Sequence, residues 1–462
     1  MVVRRMRKTL LWVALAGLFM LLIGCSGAAR EKKFPISSSL TPPPESSEVV
    51  FDTLPKDYYF VQVEDAVLTD EAGEVIRRLF FQERVFLIRK GVQRTLVEDY
   101  AGNQGYVERS VLGKDFISDI GEIYSGVEYG AYAEKNKPYK DYKPVRAVYM
   151  PPVQLENVDV FLQRLEGTSI NSIVIDYKND YDQILFPSPA TQEIKIDSSP
   201  AFNESPEEFM TKIKEKGFHT IARIVVFRSD NYVLAYPKHS VMDEAGELYY
   251  SEGSYWVSPY CREMWDYIVK LSNEALAYGF DEIQFDHLNF PVADGTQLSM
   301  RNLEDESRPE AIQKFLFHVQ SSLGNKDAII GVNVFGWSAV VPSDIDIGQQ
   351  WEALSAVSDV ISPMFYPSLF SAGNLGLDRP QREPYETIKR ASQYALERNE
   401  NLPTPAFIRP WLQAYDYDIA YGEEEISAQI QALKDLGIYE YMLWNPDGQY
   451  ELGGLNDAST NR

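Results

Sequence analysis

From Val145 onward, short β-type runs alternate with helical runs until eight strands have been counted, and few folds accept such a pattern. The strand-like runs are VRAVYM (145–150), INSIVIDYK (170–178), HTIARIVVF (219–227), FDEIQFD (280–286), AIIGVNVFG (328–336), DVISPMFYP (359–367), TPAFIRPWL (404–412) and YEYMLWN (439–445). Helical stretches such as SPEEFMTKIKEKG and EEISAQIQALKDLG lie between them, and several end in Gly, a common helix stop. The pattern predicts an α/β fold, a (β/α)8 barrel over 144–452, with 453–462 as a tail and a last helix that is short or missing. An open doubly wound sheet is the other arrangement, but no Gly-rich turn follows the first strand.

The remainder of the chain differs in character. Arg4, Arg5, Arg7 and Lys8 precede the apolar stretch TLLWVALAGLFMLLIG, and Leu22-Ile23-Gly24-Cys25 closes it. This resembles a lipoprotein signal peptide whose lipobox cysteine, Cys25, carries the lipid; an ordinary signal anchor is the alternative. Two acyl chains would hold the protein at a membrane surface, making it an exported, membrane-anchored lipoprotein of the bacterial cell envelope. Residues 26–56 are rich in Ser and Pro and read as a disordered tether. Residues 57–113 hold five or six short β-type runs separated by turns such as EAGE and AGNQG. They predict a small β-barrel, and DYAGNQGYVERSVL resembles the closing strand of bacterial SH3-like domains. Such a module would be a candidate for binding peptidoglycan or a peptide; another small β-module remains open. Residues 114–143 form a connector whose tyrosines are expected to pack on one of the domains.

In a (β/α)8 barrel, chemistry collects at the C-terminal strand ends, and alternation sorts residues by face. In SIVIDYK, Asp176 and Lys178 then point into the mouth; in DEIQFD, Gln284 and Asp286 do. Strand three adds Arg223 and its following loop Asp230; strand five adds Asn333 and Trp337. Tyr366, Arg409, Gln413, Trp444 and Asn445 come from strands six to eight, and His287 sits beside Asp286. Acids among planar amides, guanidinium groups and aromatic rings suit a carbohydrate better than a phosphate, which favours Gly-rich backbone nests. Asp286, Asp176 and Asp230 are the candidate catalytic acids, because glycoside hydrolysis uses two carboxylates. Lys178, Arg223, Gln284, His287, Asn333, Trp337, Tyr366, Arg409, Gln413, Trp444 and Asn445 are the candidate substrate-binding residues. Six of them have a plainer alternative: Asp286 paired with Arg223, Asp176 with Lys178, Asp230 as a solvated acid or cap, His287 as a satisfied helix-facing or rim histidine, and Tyr366 and Trp444 as barrel filling. Glu282 and Glu440 are expected low in the barrel.

The segments IVIDYKND, GFHTIARIVVFRSD, YWVSPYCREMWDY, GFDEIQFDHLNFP, FGW, ISPMFYPSLF and LWNPDGQY resemble, in order, a bacterial family described as "putative glycosyl hydrolases", of the TIM-barrel glycosidase clan. The resemblance covers roughly 145–450. It implies that Asp286 takes the place of the strand-four carboxylate that acts as nucleophile in α-amylase-like barrels. Two positions depart from the family pattern: DHLNFP carries Asn289 where Arg is usual, and Asn333 stands where strand five usually has Asp.

The formal charge of −24 becomes −28 if residues 1–24, with their four cations and no acid, are removed. Such a surface excludes nucleic acid as a partner and favours a neutral or cationic ligand. With Cys25 lipidated, Cys261 stands alone, and the four histidines show no ligand spacing; no metal or other cofactor is expected. The chain thus reads as a glycoside hydrolase acting on a cell-wall glycan or other polysaccharide. The alternative is a non-catalytic carbohydrate-binding or envelope-scaffold lipoprotein on a glycosidase-like barrel.

Overall fold

The computed structural model describes residues 58–63, 66–79, 84–98, 103–113, 124–130, 143–194, 205–293, 296–452 and 455. Cys25 and the tether lie outside them. Among the described residues no helix is long and apolar enough to cross a membrane.

The larger unit is a closed parallel barrel. Its strands are β1 (Arg146–Met150), β2 (Ser172–Lys178), β3 (His219–Val225), β4 (Glu282–Asp286), β5 (Ile329–Phe335), β6 (Val360–Met364), β7 (Phe407–Ile408 and Trp411–Gln413) and β8 (Tyr441–Trp444). Each pairs in parallel with the next, and β8 closes on β1 through Tyr441↔Arg146. Pro410 lacks an N–H and sits at the break in β7.

The connecting helices are amphipathic and lay their apolar sides on the strands. The longer ones are α1 (Val158–Leu165), α2 (Pro206–Glu215), α3 (Arg262–Ala277), α4 (Arg308–Ser322), α5 (Pro384–Asn399) and α6 (Glu423–Lys434). Capping boxes at Ser205 and Ser307, with Pro within the first turn, start α2 and α4. No helix follows β8 among the described residues; Tyr450 instead donates its hydroxyl to the Tyr149 carbonyl at 2.7 Å.

Part of the connector belongs to this unit. The Tyr124 hydroxyl donates to Asp344, the Tyr129 hydroxyl to Gln350, and Gln313 exchanges two hydrogen bonds with the Glu128 backbone.

The smaller unit is all β. Among the described residues, seven strands between Tyr58 and Gly113 pair antiparallel, and a 3₁₀ turn, Arg109–Val111, precedes the last. Val61, Leu68, Val85, Val97 and Val107 fill its core at no more than 1% exposure. These strands fit a small β-barrel.

Candidate active site

The barrel interior is layered, because every second residue of each strand points inward. At the N-terminal end, Arg409 donates to Glu440 (2.7 Å) and Glu282 (2.6 Å), and all three are buried. In the middle, Gln284 Nε2 and Trp411 Nε1 both donate to Asn333 Oδ1, at 2.6 and 2.7 Å. Gly331 permits this layer: a Cβ there would collide with the Gln284 amide.

At the C-terminal end a single guanidinium gathers three aspartates. Arg223 Nε donates to Asp286 Oδ2 (2.7 Å), Nη1 to Asp176 Oδ1 (2.8 Å) and Nη2 to Asp180 Oδ2 (2.8 Å). The pairing of β3 with β2 and β4 sets Arg223 opposite both Asp176 and Gln284, so the fork reaches a carboxylate on either side. Tyr149, inward on β1, donates its hydroxyl to the other Asp176 oxygen at 2.7 Å. Sharing one planar guanidinium keeps Asp176 and Asp286 within about 8 Å of each other, compatible with the roughly 5–9.5 Å of two-carboxylate glycosidases.

The loops supply the rest. After β2, Asn179 Oδ1 accepts the N–H groups of Tyr181 and Gln183, a tight turn that presents Asp180. After β4, His287 adopts φ 46°, in the left-handed region. That turn lets its N–H donate to Asp286 Oδ1 at 2.7 Å and brings its ring to Asp180 Oδ1 at 3.0 Å. Arg228 approaches the same ring nitrogen at 3.1 Å. Trp444 stacks on Tyr149 with centroids 4.2 Å apart, and the Arg223 guanidinium lies 5.4 Å from the Trp444 ring centre. Asp176 and Asp286 are almost sealed, whereas the Asp180 side chain is 31% exposed.

The three acids differ electrostatically. Burial pushes the Asp176 carboxyl above the ordinary carboxylate range, against the pull of Arg223. For Asp286 the same burial is outweighed by Arg223 and His287, which hold it below that range. Asp180 lies well below it, since Arg223, His287 and Arg228 together overcome its desolvation. Burial, Tyr415 and the charge of Asp286 raise the Tyr366 hydroxyl well above its usual value.

Of the residues singled out from sequence, this cluster unites Asp286, Asp176, Arg223, His287 and Trp444. Tyr366 is 7% exposed in the barrel core, edge-on to Tyr415. Trp337 opens a short half-buried helix after β5. Others serve elsewhere. Asp230 is a local anchor: it accepts from the Ser254 hydroxyl and Tyr255 N–H, and no contact joins it to the Arg223 cluster among those described. Lys178 is fully buried and held by Asp182 (2.9 Å) and the Arg228 carbonyl (2.7 Å), so it is Arg223 and not Lys178 that pairs with Asp176. Gln284 and Asn333 are sealed in the middle layer, and Arg409 lies at the opposite end of the barrel. Gln413 ties Ser368 to Tyr415, and Asn445 builds the turn to Gln449.

Residues 147–450 match the family described as "Putative glycosyl hydrolase domain". The chain belongs to this family. No curated protein matches it. Among solved structures it is similar to the PgaB (BpsB) glycoside hydrolase domain from Bordetella bronchiseptica, with 17% identity, 66% of this chain and 94% of that one covered, and a TM-score of 0.47. It is also similar to the alpha-galactosidase TtGalA from Thermus thermophilus, with 14% identity, 83% and 72% covered, and a TM-score of 0.43. A protein of Ruminiclostridium thermocellum ATCC 27405 described as hypothetical shares 24% identity over 40% of this chain and 96% of its own, with a TM-score of 0.36. These likenesses are too distant to bear on chemistry. Family membership makes the barrel a glycosyl hydrolase domain, and its site must be argued from its own residues.

Proposed function

We propose that the barrel hydrolyses O-glycosidic bonds in a neutral or cationic polysaccharide, with Asp286 as the ionised nucleophile or base and Asp176 as the proton donor. One observation carries this: two carboxylates share a guanidinium, yet their environments drive their proton affinities apart, upward at Asp176 and downward at Asp286. Arg223 stays charged and orients both. Asp180, the most exposed of the three acids, is the contact that a hydroxyl or amino group of the sugar meets first, and Trp444 lies beside the cluster. A chain of charge −24 disfavours a uronic-acid polymer.

The test is release of reducing ends from neutral, cationic and anionic polysaccharides by wild type and by Asp286→Asn. Cleavage of a neutral or cationic polymer that Asp286→Asn abolishes supports the assignment. Burial of Asp176 and Asp286 favours a second reading, a barrel that binds glycans without cleaving them. Binding across the panel with no cleavage by wild type would establish it and remove the first.

The remaining proposals concern the N-terminal segments. The β-unit is an SH3-like module for peptidoglycan or a peptide, and Cys25 anchors the exported protein to a membrane. Cys25→Ser should move the protein from the membrane to the soluble fraction or stall its processing; unchanged fractionation and migration would refute the lipid anchor.

A further inference from the structure

Away from the barrel mouth, three side chains of different chemistry converge beside the N-terminus of α3. His239 closes a 3₁₀ turn, Pro237–His239, in the long loop after β3; Cys261 caps α3, and Glu263 lies in its first turn. One ligand atom from each lies within 4.8 Å of the other two. His239 Nε2 is 3.5 Å from Glu263 Oε1, and Cys261 Sγ is 3.5 Å from Glu263 Oε2. A tetrahedral zinc ion with its usual bond lengths has ligand–ligand edges of about 3.3–3.8 Å, so these separations already approach the right size.

A second observation points the same way. The His239 side chain is 8% exposed, yet its Nε2 finds no hydrogen-bond partner. The other ring nitrogen, Nδ1, lies 3.2 Å from the Tyr232 hydroxyl. A proton on Nδ1 donated to Tyr232 leaves the Nε2 lone pair directed at the cluster, the arrangement of a metal-bound histidine. Burial lowers the imidazole's proton affinity, which favours the neutral ring a ligand must be.

We infer that His239, Cys261 and Glu263 form a binding site for one zinc-like divalent cation, nitrogen, sulfur and oxygen each filling one position and water the fourth. Burial pushes the Cys261 thiol up to about 11, so the apo site holds a thiol. Binding forms the S–metal bond and releases that proton to solvent. Glu263 is 64% exposed and gives the ion its path in. The ion would fasten the loop after β3 to α3. That loop also carries Arg228, and its Trp256 packs edge-on against His287, 6.2 Å between centroids. The role is therefore to steady a wall of the site, not to join in its chemistry. The sequence hides the cluster, because 21 residues separate His239 from Cys261.

The test uses full-length protein carrying Cys25→Ser, stripped with a chelator and titrated with Zn²⁺ and Co²⁺. One ion per chain, one proton released per ion and a thiolate-to-cobalt absorption band are expected. Cys261→Ser should lose the band, and Glu263→Gln, a change at an exposed position that leaves the fold intact, should weaken Zn²⁺ binding at least tenfold. Failure of the stripped protein to take up either ion, or variants that bind as tightly as their parent, would overturn the site.

Discussion

The barrel carries an arginine–carboxylate cluster at each end, and the two are built to opposite ends. At the N-terminal end Arg409 holds Glu282 and Glu440, all at most 5% exposed, with His219 at 3.3 Å from Glu282 as the link to the rim. At the C-terminal end Arg223 holds three aspartates, of which Asp180 reaches solvent, beside a histidine in a left-handed conformation. The lower cluster fastens strands to one another. The upper one opens to solvent through Asp180 and concentrates backbone strain next to a carboxylate, features that gather at functional sites. The difference teaches that a buried ion pair in a barrel does not declare its role; access to solvent, backbone strain and the split in proton affinity do.

The largest effect expected separates the clusters by activity. Asp286→Asn keeps the shape but cannot act as nucleophile or base, so turnover should fall by at least about 10³-fold with binding retained. Activity that survives would reduce the upper cluster to a second fastening.

Next comes stability. Arg409→Met removes the buried cation that Glu282 and Glu440 share, and should cost about 3–5 kcal/mol. In a domain this large that lowers Tm by on the order of 10 °C. Asp286→Asn should cost less, about 1–3 kcal/mol, because Arg223 still holds Asp176 and Asp180. Thermal melts of both variants check the ranking. If Asp286→Asn is the more damaging, the assignment of fastening to the lower end and chemistry to the upper end fails.

The layers also show what a sequence can disclose. Alternation along SIVIDYK and DEIQFD assigns Asp176 and Asp286 to the inner face, because period two is a property of the strand itself. It gives a face but not a depth. Arg409 shares the inner face, yet it sits level with Glu282, which opens β4, at the other end of the barrel. Lys178 follows a register shift that lets β3 skip Tyr177, and its partners Asp182 and Arg228 come from two loops. Asp180 escapes notice because it lies two residues beyond β2, in a turn fixed by Asn179; the run KND at the strand's end is its local trace. Tyr149 looks like an ordinary strand aromatic until its hydroxyl is seen on Asp176. Asp230 has the sequence of a catalytic loop acid, and only the hairpin residues Ser254 and Tyr255 show what it holds.

The smallest effect is a difference in sign, read from stability against pH. Asp286 has its proton affinity lowered in the fold, so its ionisation supports folding. That contribution is present above the unfolded carboxylate value, near 3.9, and is lost as pH falls through the lower folded value. Asp176 is shifted the other way. It favours the fold while protonated, below the unfolded value, and the advantage disappears as pH rises through the folded value. Asn resembles the protonated acid in both cases. At pH 7, Asp286→Asn should therefore be less stable than wild type and Asp176→Asn more stable, and both differences should shrink toward pH 3. Denaturant unfolding of the three proteins at pH 3, 5 and 7 measures this directly. If the two variants deviate from wild type in the same direction at pH 7, the carboxylates are electrostatically alike, and the division of roles between donor and nucleophile loses its basis.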